Sequence, residues 1–296
     1  MIIVIVRIHN DFFGMADIIK MMKNCFKILS SFVLSSAVLA CERAIDTSRI
    51  AVAGGSITEI LFSLGMAKNI VAVDTTSNYP AIAKNLPSIG YVRNVSAEGV
   101  LSLSPTLIIG EHDMGPPETL AQLKNSGIEH FVVEEVHTSG GIVDKFLCVA
   151  RMVGREASAR EIVREKLLVN INLLGEFIAK RTGPPPRVLF VLSMRSGSPI
   201  VGGRGISADG FISMFGGVNS VEFEGWKPVG PEAIISADPD MIIITQRGLR
   251  GYGTLRELVN HPYLRWTQAA KNNNILTMDG MEMLGFGPER SMPQWS

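Results

Sequence analysis

Short apolar runs rich in β-branched residues alternate with helically spaced segments, and this alternation is written twice. Residues 49–55 (RIAVAGG) form a strand-like run that ends in glycine. Residues 56–66 (SITEILFSLGM) open with Ser56 as a capping residue and place Ile60, Leu61 and Leu64 at helical spacing. Strand-like runs follow at 69–74, 106–110 and 129–134, with helical segments at 96–103 and 117–128. Strands this short and apolar, each followed by a helix, predict a parallel sheet covered by helices. Residues 141–181 carry no strand pattern. Within them, 157–181 place Ile162, Val163, Leu167, Val169, Leu173, Leu174, Phe177 and Ile178 at helical spacing. That predicts a helix roughly 36 Å long, stopped by TGPPP at 182–186. The alternation restarts at 187–193 (RVLFVLS).

The restart repeats the first half. GSITEILFSLGMAKN (55–69) matches GISADGFISMFGGVN (205–219), with Gly65 opposite Gly216. GYVRNVSAEGVLSLSPTLII (90–109) is echoed by GWKPVGPEAIISADPDMIII (225–244). Tyr91 falls opposite Trp226, Glu98 opposite Glu232, and Pro105 opposite Pro239. Matching elements in the same order point to a duplicated lobe. The expected fold is α/β, with an N-terminal lobe over 46–140, a helical connector over 141–183 and a C-terminal lobe over 184–296.

Composition narrows the function. The 296 residues are 46% hydrophobic and 19% charged, with 28 basic and 28 acidic residues and a formal net charge of +0. No Lys/Arg block stands out, so a nucleic-acid partner is not expected. Three cysteines, Cys25, Cys41 and Cys148, suggest neither a disulfide framework nor a metal cluster. KNCFK (23–27) followed by ILSSFVLSSAVLA (28–40) reads as the basic and apolar regions of an export signal cleaved near Ala40. Its apolar part is shorter than the roughly 20 residues of a spanning helix. Residues 1–20 precede a plausible start at Met21 or Met22. Cys41 offers a lipidation site as the alternative, weakened by the bulky Leu39.

Ligands of parallel sheets gather at the carboxyl ends of the strands. Two facing lobes then bring Tyr91 and Trp226 to one cleft from opposite sides, which suits a large flat or apolar ligand. Packing of Tyr91 on its own sheet is the alternative. Arg93 bears on that choice, because residues i and i+2 of an extended segment share a face. A phenol titrates at about 10, and a neighbouring guanidinium favours its phenolate, a hard oxygen donor for ferric iron.

VAVDTTSNYP, LPSIGYVRNVSAEGVLSLSPTLII, MGPPETLAQL, GWKPVGPEAII and LGFGPER together resemble the haem-binding periplasmic proteins of bacterial haem ABC importers, within the cobalamin and ferric-siderophore binding-protein class. The resemblance covers roughly 49–290. It implies class III architecture: two Rossmann-like lobes with parallel sheets joined by one long helix. It implies haem b as cargo with no catalytic cofactor, Tyr91 as the axial iron ligand and Arg93 as its support. It also implies an inner-membrane permease with its ATPase as partners, haem received from an outer-membrane receptor, and a monomer in the periplasm. Some relatives add an axial ligand from the second lobe. Met194 holds that place here, where packing on the porphyrin is the alternative to ligation. Arg195 and Arg204 are candidates for the propionates, and Tyr79 and His112 are further cleft candidates. His9, His130, His137 and His261 read as bystanders. Glu98 and Glu232 each open a short helix, where the dipole favours a carboxylate. Their equivalent placement suggests docking on paired permease arginines, a role the resemblance supports.

The rival readings are weaker. AVAGGS and VGGRGIS are not a clean G-x-G-x-x-G, and no nucleophile elbow, H-E-x-x-H or zinc spacing supports an enzyme. A ferric siderophore or cobalamin carrier predicts several cleft arginines and no single ligating tyrosine. The resembled family continues past LGFGP into a final helix. The ending ERSMPQWS has no helical pattern, which reads as a truncated C-terminal lobe.

Overall fold

Every residue of the first strand is buried, as a strand with neighbours on both edges and helices on both faces requires. The computed structural model describes residues 41–194 and 198–280. Residues 1–40, over which an export signal is expected, Arg195 and the tail 281–296 lie outside the described residues. The first lobe runs β1 (Ile50–Ala53), α1 (Gly55–Ser63), β2 (Ile70–Val73), β3 (Gly90–Tyr91), β4 (Asn94–Val95), α2 (Ala97–Ser102), β5 (Leu107–Glu111), α3 (Pro117–Asn125), β6 (Glu129–Val133) and α4 (Ser139–Met152). Its sheet has the order β2-β1-β5-β6 and all its pairings are parallel. The predicted strands and helices of this half appear within a few residues of their expected bounds.

Successive strand residues point to opposite faces, and both faces are filled. Ile50, Val52, Leu107 and Ile109 pack with Ile57, Ile60 and Leu61 of α1 and Phe146 and Val149 of α4. Ala51, Ala53 and Ile108 pack on the other face with Val92, Val100 and Leu123.

The connector helix is continuous but not uniform. α5 (Glu156–Ile162) passes through a π-helical turn (Val163–Leu167) into α6 (Leu168–Lys180). Val163 (φ −58°, ψ −48°) and Leu168 (φ −65°, ψ −33°) keep right-handed helical angles at the two junctions. Val163 and Leu167 are buried in the first lobe's core. The helix stops at Arg181, which is extended (φ −69°, ψ 134°) ahead of the three prolines.

The second lobe runs β7 (Arg187–Ser193), β8 (Ile200–Gly202), α7 (Ser207–Met214), β9 (Val218–Asn219), β10 (Trp226–Pro228), α8 (Pro231–Ala237), β11 (Met241–Thr245), α9 (Gln246–Arg250), α10 (Leu255–Val259), α11 (Gln268–Lys271) and β12 (Ile275–Met278). The parallel strands β9, β7, β11 and β12 pair in the order in which β2, β1, β5 and β6 pair in the first lobe. The second sheet adds β8 and β10, both antiparallel. Gly65 and Gly216, matched in the sequence, follow equivalent helices with φ of 74° and 71°, the left-handed step that ends a helix. Phe211 and Met214 of α7 pack on the first lobe's core. Arg181 Nη2 donates to the Gly216 carbonyl at 2.6 Å.

One cysteine expectation is corrected. Cys41 and Cys148 form a disulfide across 107 residues, with Cα atoms 5.4 Å apart. The chain after Cys41 runs back beside the end of α4, where the Ala44 N–H donates to the Met152 carbonyl at 2.9 Å. Spacing could not reveal this, because only the packing of α4 brings Cys148 to the start of the lobe. A sulfur in this disulfide cannot at the same time carry a lipid thioether. Closing so long a loop restricts the unfolded chain. Cys148→Ser is therefore expected to lower the unfolding free energy by about 2–5 kcal/mol, measured by denaturant titration. An unchanged midpoint would reject a stabilising bridge.

Candidate functional site at the carboxyl edge of the first sheet

The loops leaving β1, β2 and β5 are locked together by two buried carboxylates. Asp74, just after β2, accepts hydrogen bonds from the Gly54 N–H at 3.0 Å, the Thr76 N–H at 2.9 Å and Ser77 Oγ at 2.8 Å. Glu111, at the end of β5, accepts from Ser56 Oγ at 2.5 Å. Ser56 is therefore not a helix cap: α1 starts one residue earlier, and its hydroxyl faces Glu111. A Cβ on Gly54 would lie 2.5 Å from Glu111 Cγ, and Gly54 has φ 148°. The glycines of AVAGGS thus make room for a carboxylate of the protein itself.

A charged chain continues beneath this edge. Lys145 Nζ, from α4, donates to Ser56 Oγ at 2.8 Å and to Glu135 Oε1 at 2.9 Å. Both members of the Lys145–Glu135 ion pair are buried. His112 Nδ1 lies 3.9 Å from Glu135 Oε2 and keeps 41% of its side chain exposed. His137, expected on a surface loop, is half-buried beside the second lobe. Its backbone and Cβ face Gly210 of α7 so closely that no Cβ fits there. Burial holds the His137 imidazole below its ordinary range.

Tyr91 rides on this edge. β3 and β4 form a hairpin in which Tyr91 pairs with Asn94, so Val92 and Arg93 make a two-residue turn. The adjacency of Tyr91 and Arg93 is thus a property of the turn, and the extended-strand argument for it is corrected. Gly90 takes φ 99°, and a Cβ there would lie 2.8 Å from the Asn94 carbonyl oxygen, which explains the glycine before the tyrosine. The hairpin is tied to its surroundings by Thr75 N–H to Gly90 O at 2.8 Å and Gly115 N–H to Val92 O at 3.0 Å. Val92 is buried, whereas Tyr91 is 45% exposed, so packing on its own sheet does not consume the ring.

Arg93 Nε donates to Asp113 Oδ2 at 2.7 Å. Burial lowers the guanidinium's pKa, but the Asp113 hydrogen bond and the charges of Asp113, Tyr91 and Glu111 outweigh it and raise the value overall. Asp113, Tyr91 and Glu111 thus all act on this one cation.

The other candidates are more dispersed. Glu98 and Glu232 are exposed in the first turns of α2 and α8. Tyr79 is half-buried after β2. Trp226 is half-buried on β10 and stands edge-on to Phe190, with ring centroids 6.0 Å apart. Met194 is 6% exposed and packs in the second lobe's core. Arg204 is exposed, with Nη2 3.5 Å from Glu222 Oε1. The sequence reading passed over Glu111, Asp113, Glu135 and Lys145. The spacing of Glu111 and Asp113 directly after the strand TLIIG was the available signal; nothing local marked Glu135 or Lys145. It also passed over Arg247 and Arg250, exposed on α9 directly after β11.

These features define a two-lobed α/β carrier with its polar side chains gathered at strand ends. The chain belongs to the periplasmic binding protein family, whose model matches residues 50–281. Among solved structures it is similar to the periplasmic heme-binding protein BhuT in complex with two hemes, at 33% identity and a TM-score of 0.77, covering 81% of this chain and 92% of that one. Among curated proteins it is 24% identical over 195 residues to the ABC transporter substrate-binding lipoprotein YvrC of Bacillus subtilis (strain 168), covering 64% of this chain and 61% of YvrC's length. It is 25% identical over 223 residues to the vitamin B12-binding protein of Yersinia pestis (strain Pestoides F), covering 74% of each.

The buried network has a pH signature. Burial pushes the Glu111 carboxyl up to about 7 from its ordinary 4.5, against the opposing pull of Lys145. Between those values the folded protein keeps a proton that the unfolded chain has lost. The contribution of Glu111 to stability is therefore complete below 4.5 and fades as pH rises through about 7. Glu111→Gln is expected to gain thermal midpoint relative to the wild type as pH rises from about 5 to about 8. Calorimetry across that range checks it, and a constant difference would reject it.

Proposed function

We propose that this protein captures haem b in the periplasm and delivers it to an inner-membrane ABC importer, with ferric iron held by Tyr91. The observation that carries the reading is the hairpin: a half-exposed tyrosine at the carboxyl edge of the sheet, beside an arginine fixed by Asp113. A phenolate oxygen is a hard donor that suits ferric iron. The similarity to a heme-binding protein over 92% of that protein's length supports the same cargo. Cobalamin brings an axial base of its own besides its equatorial nitrogens, whereas haem iron takes its axial ligand from the protein, so the weaker likeness to a vitamin B12 carrier ranks second. In this reading the site is a carrier's and performs no catalysis.

Haem reaches the protein from an outer-membrane receptor, and the protein works as a monomer. Tyr79, His112, Trp226, Met194, Arg195 and Arg204 are proposed only as surroundings of the haem. Met194, being buried, would act by packing and not as a ligand. Glu98 and Glu232 are proposed as the docking pair, one on each lobe. Both are exposed and each opens an equivalent helix, so they offer matched charges to a two-fold permease.

Hemin added to the purified protein is expected to give a Soret shift with tyrosinate charge-transfer bands. Tyr91→Ala is expected to lose those bands and to weaken hemin binding by at least the ~10–100-fold typical of losing a supporting partner. An unchanged spectrum would remove Tyr91 as the ligand. Replacing Glu98 and Glu232 together with alanine is expected to leave hemin affinity alone but abolish stimulation of the importer's ATPase in proteoliposomes. Wild-type stimulation by the double variant would reject the docking pair.

A further inference from the structure

The geometry points to Asp113 as a positioning residue that presents Arg93 to the iron-ligand site, an inference that rests on the reading of Tyr91 as ligand. Among the described residues the Arg93 side chain is hydrogen-bonded at one point, by its Nε on Asp113 Oδ2. Among the described residues neither of its Nη nitrogens has a hydrogen-bond partner. An end-on contact of this kind fixes the guanidinium while leaving its outer edge free for another acceptor. The Arg93 side chain is 60% exposed, so without an anchor it would sample many rotamers, and a ligand would have to order it on arrival.

The ion pair is not needed to hold the backbone. The turn after β5 is already joined to the hairpin by Gly115 N–H to Val92 O at 3.0 Å and by Val95 N–H to Gly115 O at 2.8 Å. Its own turn is closed by Met114 N–H to Glu111 O at 2.9 Å. A partly exposed pair adds little to stability. Meanwhile Asp113 leaves its second carboxylate oxygen, Oδ1, buried with no hydrogen-bond partner. A side chain chosen for stability alone would not carry that oxygen. Asp113 instead transmits the rigidity of the strand end to a cation on an exposed turn. Asp113 thereby serves Arg93 as an outer partner serves a metal-binding side chain.

The test uses the full chain with hemin as the probe. Asp113→Ala is expected to weaken hemin binding about 10-fold and to alter the tyrosinate charge-transfer band. Asp113→Glu should restore both, and Asp113→Asn, which keeps the side-chain shape, should restore neither. In an Arg93→Ala background, Asp113→Ala should change neither readout further, because the effect passes through Arg93. Equal losses in the two backgrounds would overturn the proposal, as would a wild-type band and affinity in both Asp113→Ala and Asp113→Asn. If the wild-type protein itself gives no tyrosinate band, the reading of Tyr91 fails and this inference with it. If the wild type gives the band and the Asp113 variants match it, only this inference fails.

Discussion

Two buried carboxylates, Asp74 and Glu111, hold the functional edge of the first lobe in place. A carboxyl group buried away from water is costly, in either protonation state, unless hydrogen-bond partners surround it. Asp74 draws in the N–H groups of Gly54 and Thr76 and the hydroxyl of Ser77, while Glu111 draws in Ser56. The loops after β1, β2 and β5 therefore cannot move independently. The Tyr91 hairpin hangs from two of them, through Thr75 and Gly115. Lys145 reaches in from α4 and ties the same edge to Glu135. The hairpin that carries Tyr91 is thus tied to a buried polar network beneath it.

The duplication serves two purposes differently. Each lobe repeats a four-strand parallel order and opens an equivalent helix with an exposed glutamate. That symmetry suits contact with a two-fold partner. The loops before those helices diverge. The first lobe makes a tight hairpin carrying Tyr91 and Arg93, whereas the second lays Trp226 along an antiparallel edge strand against Phe190. Symmetry is kept where a symmetric surface is useful and dropped where one iron would need one ligand. The disulfide adds a third element, fastening the start of the first lobe to α4, the helix that also supplies Lys145.

Period and punctuation were enough to read most elements. Apolar runs of four to seven residues placed the strands, glycines such as Gly65 and Gly216 marked helix ends, and the three prolines stopped the connector. The π-helical turn at Val163–Leu167 was invisible, because its residues remain good helix formers and the helical periodicity runs through it. At the site, the Tyr91–Arg93 pair was legible as a motif, but its geometry was misread as extended strand. The partners of Arg93 and Ser56 lie 20 and 55 residues away, beyond the reach of any local pattern.

By itself the sequence determined the α/β class, the repeated order of elements and the long helical connector, because these depend on periodicity, turn residues and self-similarity, all of which are local or internal; it put Tyr91 forward only as a candidate. Only the tertiary structure decided which distant groups meet: Glu111 with Ser56, Lys145 with Ser56 and Glu135, Arg93 with Asp113, and Cys41 with Cys148. Those pairs exist because parallel strands bring distant loops to one edge, and α4 packs across it. Where burial removes solvent, as at Glu111, Ser56 and Lys145, a polar group must find a protein partner.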